Sequence, residues 1–283
     1  MVKFLFIQKS AQKIERTKLF IITHFAKFCY ICSQNCQLQM EKTFSNEYRV
    51  THKDTDINGE ISLASLGNFI LDTAGLHAID LKTSIDILNQ QNLTWVVTGI
   101  HFDIKRLPKI NSNIKITTRI TELSRLACKR DFAVEQNGET IAGVSTEWLI
   151  INRSTRRPTF ITDVLPQIHD IVSDNGQVEK YKHLRFAIDK PDCEHKHTVR
   201  YSDIDINRHL YSMRYIEMAM DMAGIEIHDT KKLVSADVNY MSEVLYNQEV
   251  TLYSKQEGDI TMIEMQNCDK KPMFRAEFVW KDK

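Results

Sequence analysis

The chain has 283 residues, of which 42% are hydrophobic and 26% are charged, so it is long and apolar enough for two globular domains of ordinary size or one large domain. No apolar run approaches the ~20 residues of a membrane-spanning helix, which predicts a soluble protein without a membrane span. Residues 1–40 hold six basic residues and one acidic residue, so the remainder carries a net charge of −5, and this disfavours nucleic acid as a partner. The isolated Cys128, Cys193 and Cys268 suggest no disulfide framework, as is typical of a cytoplasmic protein.

Residues 1–40 differ in composition from the rest of the chain. Their basic, phenylalanine-containing start resembles a weak targeting peptide, but no small-residue cleavage site follows it. Cys29, Cys32 and Cys36 are spaced like metal ligands, yet no matching second ligand pair follows, so we expect no metal and no other cofactor. We interpret residues 1–40 as an extension that is disordered or lies upstream of a true start at Met40.

Residues 41–170 predict one helix followed by antiparallel strands. Apolar residues recur at helical spacing from Leu63 to Ala74, and this face includes Leu66 and Ile70. Apolar and polar residues then alternate in several runs, two of which are separated by the typical hairpin turn Asn137-Gly138. The predicted strands are Trp95–Thr98 continuing to Ile104, a segment that opens at Ile114, Ala127–Val134 and Thr140–Ile151.

Residues 171–195 lack a regular apolar period and contain several turn-forming residues, so we predict a linker there. Residues 196–283 then repeat the order of helix and strands. The helix is predicted over residues 210–223 from the spacing of Leu210, Met213, Ile216 and Met220. The predicted strands are Val234–Tyr240, Val250–Tyr253, Ile260–Met265 and Phe274–Trp280, with a turn signal at Glu257-Gly258.

An internal repeat supports the same division of the chain. Asp54–Asn58 matches Asp203–Asn207 at an offset of 149 residues, and at this offset Asp72, Ala74 and Gly75 fall on Asp221, Ala223 and Gly224. A period this long indicates duplicated domains, because solenoid repeats are only ~20 to 50 residues long. A lone helix buries its apolar face when a curved sheet wraps around it. We therefore predict an α+β fold of two tandem hotdog domains, each a long central helix wrapped by a curved antiparallel sheet.

The first copy of the motif also resembles the start of a calcium-binding loop, because Asp54, Asp56 and Asn58 precede Gly59. The twelfth position of such a loop supplies a bidentate Glu, but here it is Ser65. In the second copy, arginines occupy both the glycine position and the twelfth position. We interpret the first-copy residues as turn-forming and helix-capping groups.

The second copy has a different set of side chains. Asp205, Asn207 and His209 alternate just ahead of a helix, and residues two apart in an extended segment project to one side. The free N–H groups of the helix start can bind a developing oxyanion, and the helix dipole lowers the pKa of His209. The first copy has Glu60 where the second has His209. The sequence therefore predicts a catalytic site in the second copy only.

The segment Val199–Glu217 resembles the second hotdog domain of plant and bacterial acyl-acyl carrier protein thioesterases. Trp95–Thr98 is similar to a strand of their first domain, and Tyr240–Glu243 to a later acidic position of their second. The resemblance covers roughly residues 41–283. It implies hydrolysis of the fatty acyl-acyl carrier protein thioester, which releases a free fatty acid and terminates fatty acid synthesis. It places the catalytic roles on Asp205, Asn207, His209 and Glu243.

Two features differ from the family pattern. A papain-like site of the plant enzymes has a cysteine directly after the acidic residue, but here Val244 follows Glu243, so we expect direct attack by water. Either His209 or Glu243 is then the general base. Arg208 and Tyr211 also replace smaller or amide residues, and a bulky Tyr211 narrows the site or alters the approach of the substrate.

The resemblance further implies that residues 41–170 bind the acyl chain and residues 196–283 carry out catalysis. The side chains expected to line an apolar channel, although each is also compatible with an ordinary core position, are Leu66, Ile70, Trp95, Val97, Ile100 and Phe102. An acidic acyl carrier protein needs a basic docking surface. The candidates are Lys105, Arg106 and Lys109, or Arg153, Arg156 and Arg157. A homodimer is a further possibility.

Two alternative functions remain open at this point. A thioesterase that acts on coenzyme A esters would share the fold and the chemistry but not the docking partner. A non-catalytic acyl-binding protein is also compatible with the sequence, because Arg208 and Tyr211 depart from the family pattern.

Overall fold

The computed structural model describes residues 42–173, 176, 178–179 and 181–283. The interpretation of residues 1–40, including the spacing of Cys29, Cys32 and Cys36, concerns residues outside this part of the chain. Among the residues described, no helix is both long enough and apolar enough to cross a membrane.

The first half of the described chain has one long helix and five long strands. The helices are α1 (Leu63–Asp80), α2 (Ile85–Asn89) and α3 (Ile161–Val164). The strands are β1 (Thr43–Arg49), β2 (Leu93–Ile104), β3 (Asn113–Leu123), β4 (Ala127–Gln136), β5 (Glu139–Asn152) and the two-residue β6 (Pro158–Thr159). Short 3-10 turns precede α1 at His52–Asp54 and follow α3 at Pro166–Ile171.

The second half repeats this order with a shorter central helix. The helices are α4 (Ser212–Asp221) and α5 (Ile225–Thr230), and a 3-10 turn at Tyr201–Asp203 precedes α4. The strands are β7 (Cys193–Thr198), β8 (Lys231–Tyr240), β9 (Glu249–Glu257), β10 (Ile260–Asn267) and β11 (Pro272–Asp282). The predicted helix began at Leu210, but this residue lies ahead of α4, because its N–H donates a hydrogen bond to the carbonyl of Val244 at 2.7 Å.

The strands of the described residues form one sheet in the order β1-β3-β4-β5-β2-β8-β11-β10-β9-β7, with β6 beside β5. The order of the first five strands returns in reverse in the last five, so the two halves have the same topology and meet at β2 and β8. In this central pair His101 lies opposite Asp237, and their buried side chains are 3.0 Å apart between Nδ1 and Oδ1.

A single hydrophobic core spans both halves and contains side chains of α1, α4 and the sheet. The predicted apolar face of α1 is confirmed, because Leu63, Leu66, Ile70 and Ala74 are all buried. On α4, Met213 and Ile216 are buried in the same core. Two helices therefore pack on one continuous sheet, and residues 42–283 form one compact unit rather than two separate bodies.

The described part of the linker packs on the centre of the sheet. The backbone N–H of Lys182 donates to Asp237 Oδ1 at 2.9 Å, and that of Leu184 donates to Asn239 Oδ1 at 2.7 Å. Tyr181 lies so close to Gly99 that a Cβ there would be 2.4 Å from the tyrosine ring, so this position of β2 requires glycine. The linker is thus bound to β2 and β8 where the halves meet.

Candidate active site

The Asp205–His209 segment forms a tight loop that is held by its own first residue. Asp205 Oδ1 accepts hydrogen bonds from the N–H groups of Asn207 at 2.8 Å and His209 at 3.1 Å. The N–H of Asp205 donates to the carbonyl of His209 at 2.9 Å, which closes the loop. The side-chain amide of Asn207 lies 3.4 Å from Asp205 Oδ2. Arg208, at the tip, has a left-handed φ of 64°.

Glu243 reaches this loop from the segment that follows β8. The backbones of His209 and Leu245 form an antiparallel β-bridge. The hydrogen bond from the Leu210 N–H to the Val244 carbonyl fixes the same register between the two segments. As a result Glu243 Oε2 lies 3.7 Å from His209 Nε2, and both side chains are partly exposed. The structure thus brings together the four predicted catalytic residues, which belong to two segments separated by α4 and β8.

Arg156 is a component of this site that sequence reasoning did not assign to it. Its Nη2 pairs with Glu243 Oε1, and its side chain comes from the turn after β5 in the first half of the chain. The sequence suggested Arg156 only as one of several possible docking residues, because nothing in its local spacing points to Glu243. The site therefore contains groups from both halves of the molecule.

The surroundings of His209 favour its neutral form. Partial burial lowers the pKa of His209, and the nearby charge of Arg156 lowers it further, while Asp205 opposes the shift. The imidazole is therefore unprotonated at neutral pH and can accept a proton. A water molecule beside the pair can touch both His209 Nε2 and Glu243 Oε2, because 3.7 Å is short enough for two hydrogen bonds to a common partner.

The start of α4 lies directly after this loop. Its N-cap residue is Tyr211, whose side chain makes no hydrogen bond to the helix, while the N–H of Arg214 donates to the Tyr211 carbonyl at 2.8 Å. The N–H groups of residues 212 and 213 are therefore the ones left for another acceptor. The Tyr211 hydroxyl instead donates to Asn68 Oδ1 of α1 at 2.6 Å. Tyr211 therefore connects the Asp205–His209 loop to the central helix of the first half.

Sulfur nucleophiles are absent from the described part of this site. Val244, which follows Glu243, is fully buried, and its carbonyl is used by Leu210. Cys193 and Cys268 are exposed on β7 and in the turn before β11. Burial raises the pKa of the Cys128 thiol to about 11, so this group stays protonated and is a poor nucleophile.

An apolar cavity of about 400 Å³ lies in the first half, between the second part of α1 and the sheet. Trp95 and Trp148 form part of its wall, together with Leu71, Leu76, Ile79 and Ile168. Of the residues predicted to line an acyl channel, Trp95 lines this cavity. Leu66, Ile70, Ile100 and Phe102 are fully buried in the core, and Val97 packs against that core. A channel role for these five residues remains a prediction.

A second cavity of about 720 Å³ lies beside the first-copy loop, with Asp56, Asn58 and Glu60 in its wall. Burial and the charge of Asp56 raise the pKa of Glu60. Lys105 and Arg106, two of the predicted docking residues, also line this cavity, whereas Arg156 contacts Glu243. The two candidate groups of basic docking residues therefore lie at different loops.

Comparison with known proteins gives a consistent family. Residues 41–169 match the family model of the acyl-ACP thioesterase N-terminal domain, and residues 187–280 match that of the C-terminal domain. A chloroplastic acyl-[acyl-carrier-protein] hydrolase of Cuphea viscosissima is 22% identical over 71% of this chain and 52% of its own length. A chloroplastic palmitoyl-acyl carrier protein thioesterase of Arabidopsis thaliana is 26% identical over 60% of this chain and 43% of its own. The chain thus spans about half the length of these relatives.

Solved structures have the same fold. The crystal structure of an acyl-ACP thioesterase from Bacteroides thetaiotaomicron superposes with a TM-score of 0.78 at 26% identity, over 85% of this chain and 98% of the other. The 12:0-ACP thioesterase from Umbellularia californica also gives a TM-score of 0.78, at 18% identity and the same coverage. The described residues therefore have a hotdog-like fold. With both domain models matched over most of its length, the chain belongs to the acyl-acyl carrier protein thioesterase family.

Proposed function

We propose that this chain hydrolyses the thioester of a fatty acyl-acyl carrier protein and releases a free fatty acid. The observation that carries the proposal is the contact of His209 with Glu243, which is itself paired with Arg156, beside a loop and helix start typical of the family. Family membership supports the reaction class, and the apolar cavity supports a lipid substrate.

In the proposed arrangement, residues 41–170 and 196–283 are tandem hotdog domains joined by the linker 171–195. The mirrored strand order on either side of the β2–β8 pair supports a duplicated unit. Each unit contributes one central helix, α1 or α4, to the common core. A further dimer of two such chains remains a prediction.

The chemical step is attack by water on the thioester carbonyl carbon. The His209 imidazole takes a proton from this water as the new C–O bond forms, and the carbonyl becomes an oxyanion. When the C–S bond breaks, the thiolate of the carrier's arm leaves and receives the proton from the imidazolium. The products are the free fatty acid and the carrier thiol, so no nucleophilic side chain is needed.

His209 is a better candidate for the base than Glu243. The ordinary pKa of histidine, about 6.5, is higher than that of glutamate, about 4.3, although partial burial and the charge of Arg156 lower the pKa of His209. The Glu243 carboxylate is already engaged in an ion pair with Arg156. The carboxylate, 3.7 Å from the imidazole, then stabilises the imidazolium as it forms.

The remaining groups position the reactants. Asp205 shapes the loop through its bonds to the N–H groups of residues 207 and 209. The amide of Asn207, which is partly exposed beside His209, orients the water or the carbonyl oxygen. The N–H groups of residues 212 and 213, at the start of α4, stabilise the oxyanion.

The acyl chain extends from this site into the apolar cavity of the first half. One electrostatic interaction and one hydrogen bond support this path. Burial and the charges of Asp205 and Asp72 raise the pKa of Tyr211, and Asp72 lines the cavity. The N–H of Arg153, in the turn that carries Arg156, donates to the carbonyl of Asn92 at 2.9 Å, just before the strand that holds Trp95.

The carrier protein docks on the arginines around this entrance. Arg153 and Arg157 are exposed on either side of Arg156, and Arg208 is exposed at the tip of the catalytic loop. A set of arginines here complements an acidic partner whose arm must reach Glu243. The other basic candidates, Lys105, Arg106 and Lys109, lie instead near the first-copy loop. There the backbones of Lys109 and Glu60 form an antiparallel β-bridge.

The test is a rate comparison on matched substrates. The full chain is assayed for thiol release from acyl-carrier thioesters of several chain lengths and from the corresponding coenzyme A esters. We expect the larger kcat/KM on the carrier esters. A larger kcat/KM on the coenzyme A esters would mean that the substrate is an acyl-coenzyme A and not an acyl carrier protein. Tight binding of the acyl carrier without thiol release would show a non-catalytic binding protein.

A further inference from the structure

The apolar cavity of the first half contains a buried arginine. Arg130 of β4 lines the cavity, and only 6% of its surface is exposed. Its Nη1 donates to His77 Nδ1 at 2.7 Å and lies 3.3 Å from the Thr118 hydroxyl. Because a guanidinium has no acceptor atom, His77 Nδ1 must be the acceptor in the first contact, which leaves the cation without charge compensation from this histidine.

No carboxylate neutralises this cation within the described residues. Asp72 and Asp86 also line the cavity, but neither forms an ion pair with Arg130 in that part of the chain. Burial lowers the pKa of Arg130, and the Cys128 group opposes this shift. Because burial raises the pKa of Cys128 to about 11, this group is a neutral thiol near pH 7 and supplies no negative charge. A buried cation without a counter-ion costs free energy, and an anion bound beside it would offset that cost.

The remaining wall of the cavity is suited to an aliphatic chain. Side chains such as Leu76, Ile79, Ile85 and Trp148 surround Arg130 with apolar surface, and the volume of about 400 Å³ is within the usual range of ligand sites. A ligand that fits this wall has an apolar body and a single polar end. Nη1 of Arg130 is used by His77 and Thr118, whereas Nε and Nη2 have no hydrogen-bond partner among the residues described.

We propose that this cavity binds an aliphatic chain that carries a carboxylate, and that the carboxylate pairs with Arg130. Guanidinium and carboxylate match in geometry and charge, so this pair is stronger and more specific than a contact with a methyl end. Two sources have this chemistry. One is a free fatty acid that enters with its head group first, and the other is an acyl chain with a second carboxylate at its far end.

The cavity offers a direct binding signal. Trp95 and Trp148 line it, and they are two of the three tryptophans of the chain, so intrinsic fluorescence reports its occupancy. The full chain is titrated with octanoate, with 1-octanol and with the monomethyl ester of octanedioic acid. We expect octanoate to bind at least 10-fold more tightly than 1-octanol. This measurement requires no turnover, so it is separate from the test of thioester hydrolysis.

The monoester distinguishes the two sources. Its free carboxylate can pair with Arg130, while its ester end would lie towards the entrance, as the thioester of an acyl chain would. If the monoester binds as tightly as octanoate, the result indicates an acyl chain with a second carboxylate. If only octanoate binds, the ligand is a free fatty acid. Either result supports the pairing of a carboxylate with Arg130, whereas equal affinity for octanoate and 1-octanol would overturn it.

Two substitutions test the arginine itself. Arg130→Met keeps the volume and removes the charge, and we expect the preference for octanoate over 1-octanol to fall to less than 2-fold. Arg49→Met, the same change at an exposed arginine of β1, should leave the preference unchanged. A preference that persists in Arg130→Met would contradict the proposal. If this variant does not fold, Arg130→Lys keeps the positive charge but loses the two parallel hydrogen bonds that a guanidinium can donate to a carboxylate. It should bind octanoate more weakly than the wild type but retain a preference for octanoate over 1-octanol.

Discussion

The two motif loops have the same backbone and different chemistry. In the first, Asp56 Oδ1 accepts from the N–H groups of Asn58 at 2.8 Å and Glu60 at 3.2 Å, as Asp205 does at 2.8 and 3.1 Å in the second. The tips have φ angles of 68° at Gly59 and 64° at Arg208. The aspartate and the loop shape therefore belong to the fold, because they also occur where the imidazole is missing.

The differences lie in three positions around the loops. Glu60 stands in place of His209, and Leu107 stands in place of Glu243. The helices also begin differently: Ser62 Oγ accepts from Ser65 N at 3.1 Å in α1, whereas the equivalent N–H of Arg214 in α4 donates to the Tyr211 backbone carbonyl at 2.8 Å. The comparison teaches that one copy keeps the loop scaffold, while the other adds an imidazole that can accept a proton and a carboxylate beside it.

The largest expected effect separates the equivalent residues His209 and Glu60. His209→Ala should lower kcat/KM on acyl-carrier thioesters by about 100-fold or more, because a general base contributes roughly 10²- to 10⁴-fold. Glu60→Ala should change it by less than about 2-fold, and thermal unfolding should show that both variants fold. We expect Glu243→Ala to behave like His209→Ala. An equal loss in Glu60→Ala would mean that the first loop also takes part in the reaction.

Removal of Arg156 should change the pH dependence as well as the rate. Arg156 lowers the pKa of His209, so in Arg156→Met this pKa rises and the imidazole becomes protonated at a higher pH than in the wild type. Because the neutral form is the active one in the proposed mechanism, the acid limb of kcat/KM against pH should move to higher pH, and the loss of rate should be larger at acidic than at neutral pH. Arg157→Met should leave the acid limb in place. An unchanged profile in Arg156→Met would exclude coupling between Arg156 and His209.

A smaller effect compares the basic residues near the two loops. Arg153→Ala combined with Arg157→Ala should raise KM for an acyl-carrier substrate by roughly 3- to 10-fold, and the effect should shrink at high salt. KM for an acyl-pantetheine, which lacks the acidic protein, should not change. Lys105→Ala combined with Lys109→Ala is the matched pair at the first loop, and a larger effect there would place docking at that loop.

The smallest effect concerns the two loop tips. Gly59→Ala should lower the free energy of unfolding by about 1 kcal/mol, because a Cβ is unfavourable at a left-handed φ. Arg208→Gly should raise it by up to about 1 kcal/mol, since it relieves the same strain at a small entropic cost. Chemical denaturation of both variants measures these changes. A stability loss in Arg208→Gly would show that the arginine side chain makes contacts that outweigh its backbone strain.

Much of the fold is predictable from the sequence because it depends on local patterns. The apolar period from Leu63 to Ala74 predicts the buried face of α1, and the alternating runs predict strands that the structure contains. The start of α4 was placed too early, because Leu210 satisfies its N–H through a distant carbonyl, which no local pattern reveals.

The candidate site is predictable in part for the same reason. Asp205, Asn207 and His209 are neighbours in sequence, and their loop is closed by bonds within five residues. Glu243 was assigned through the family resemblance, not through spacing. Of the expected channel residues, Trp95 lines the apolar cavity, and the rest of its wall comes largely from the second part of α1, which meets the sheet only through tertiary packing.

The sequence by itself determined the duplicated units, the shape of their loops and the difference between Glu60 and His209, because these depend on short-range hydrogen bonds and on residue identity. Only the tertiary structure decided that Arg156 meets Glu243, that Arg130 faces an apolar cavity and that β2 joins β8. These contacts join segments far apart along the chain. Their meeting depends on strand order and register across the whole sheet, which no local pattern specifies.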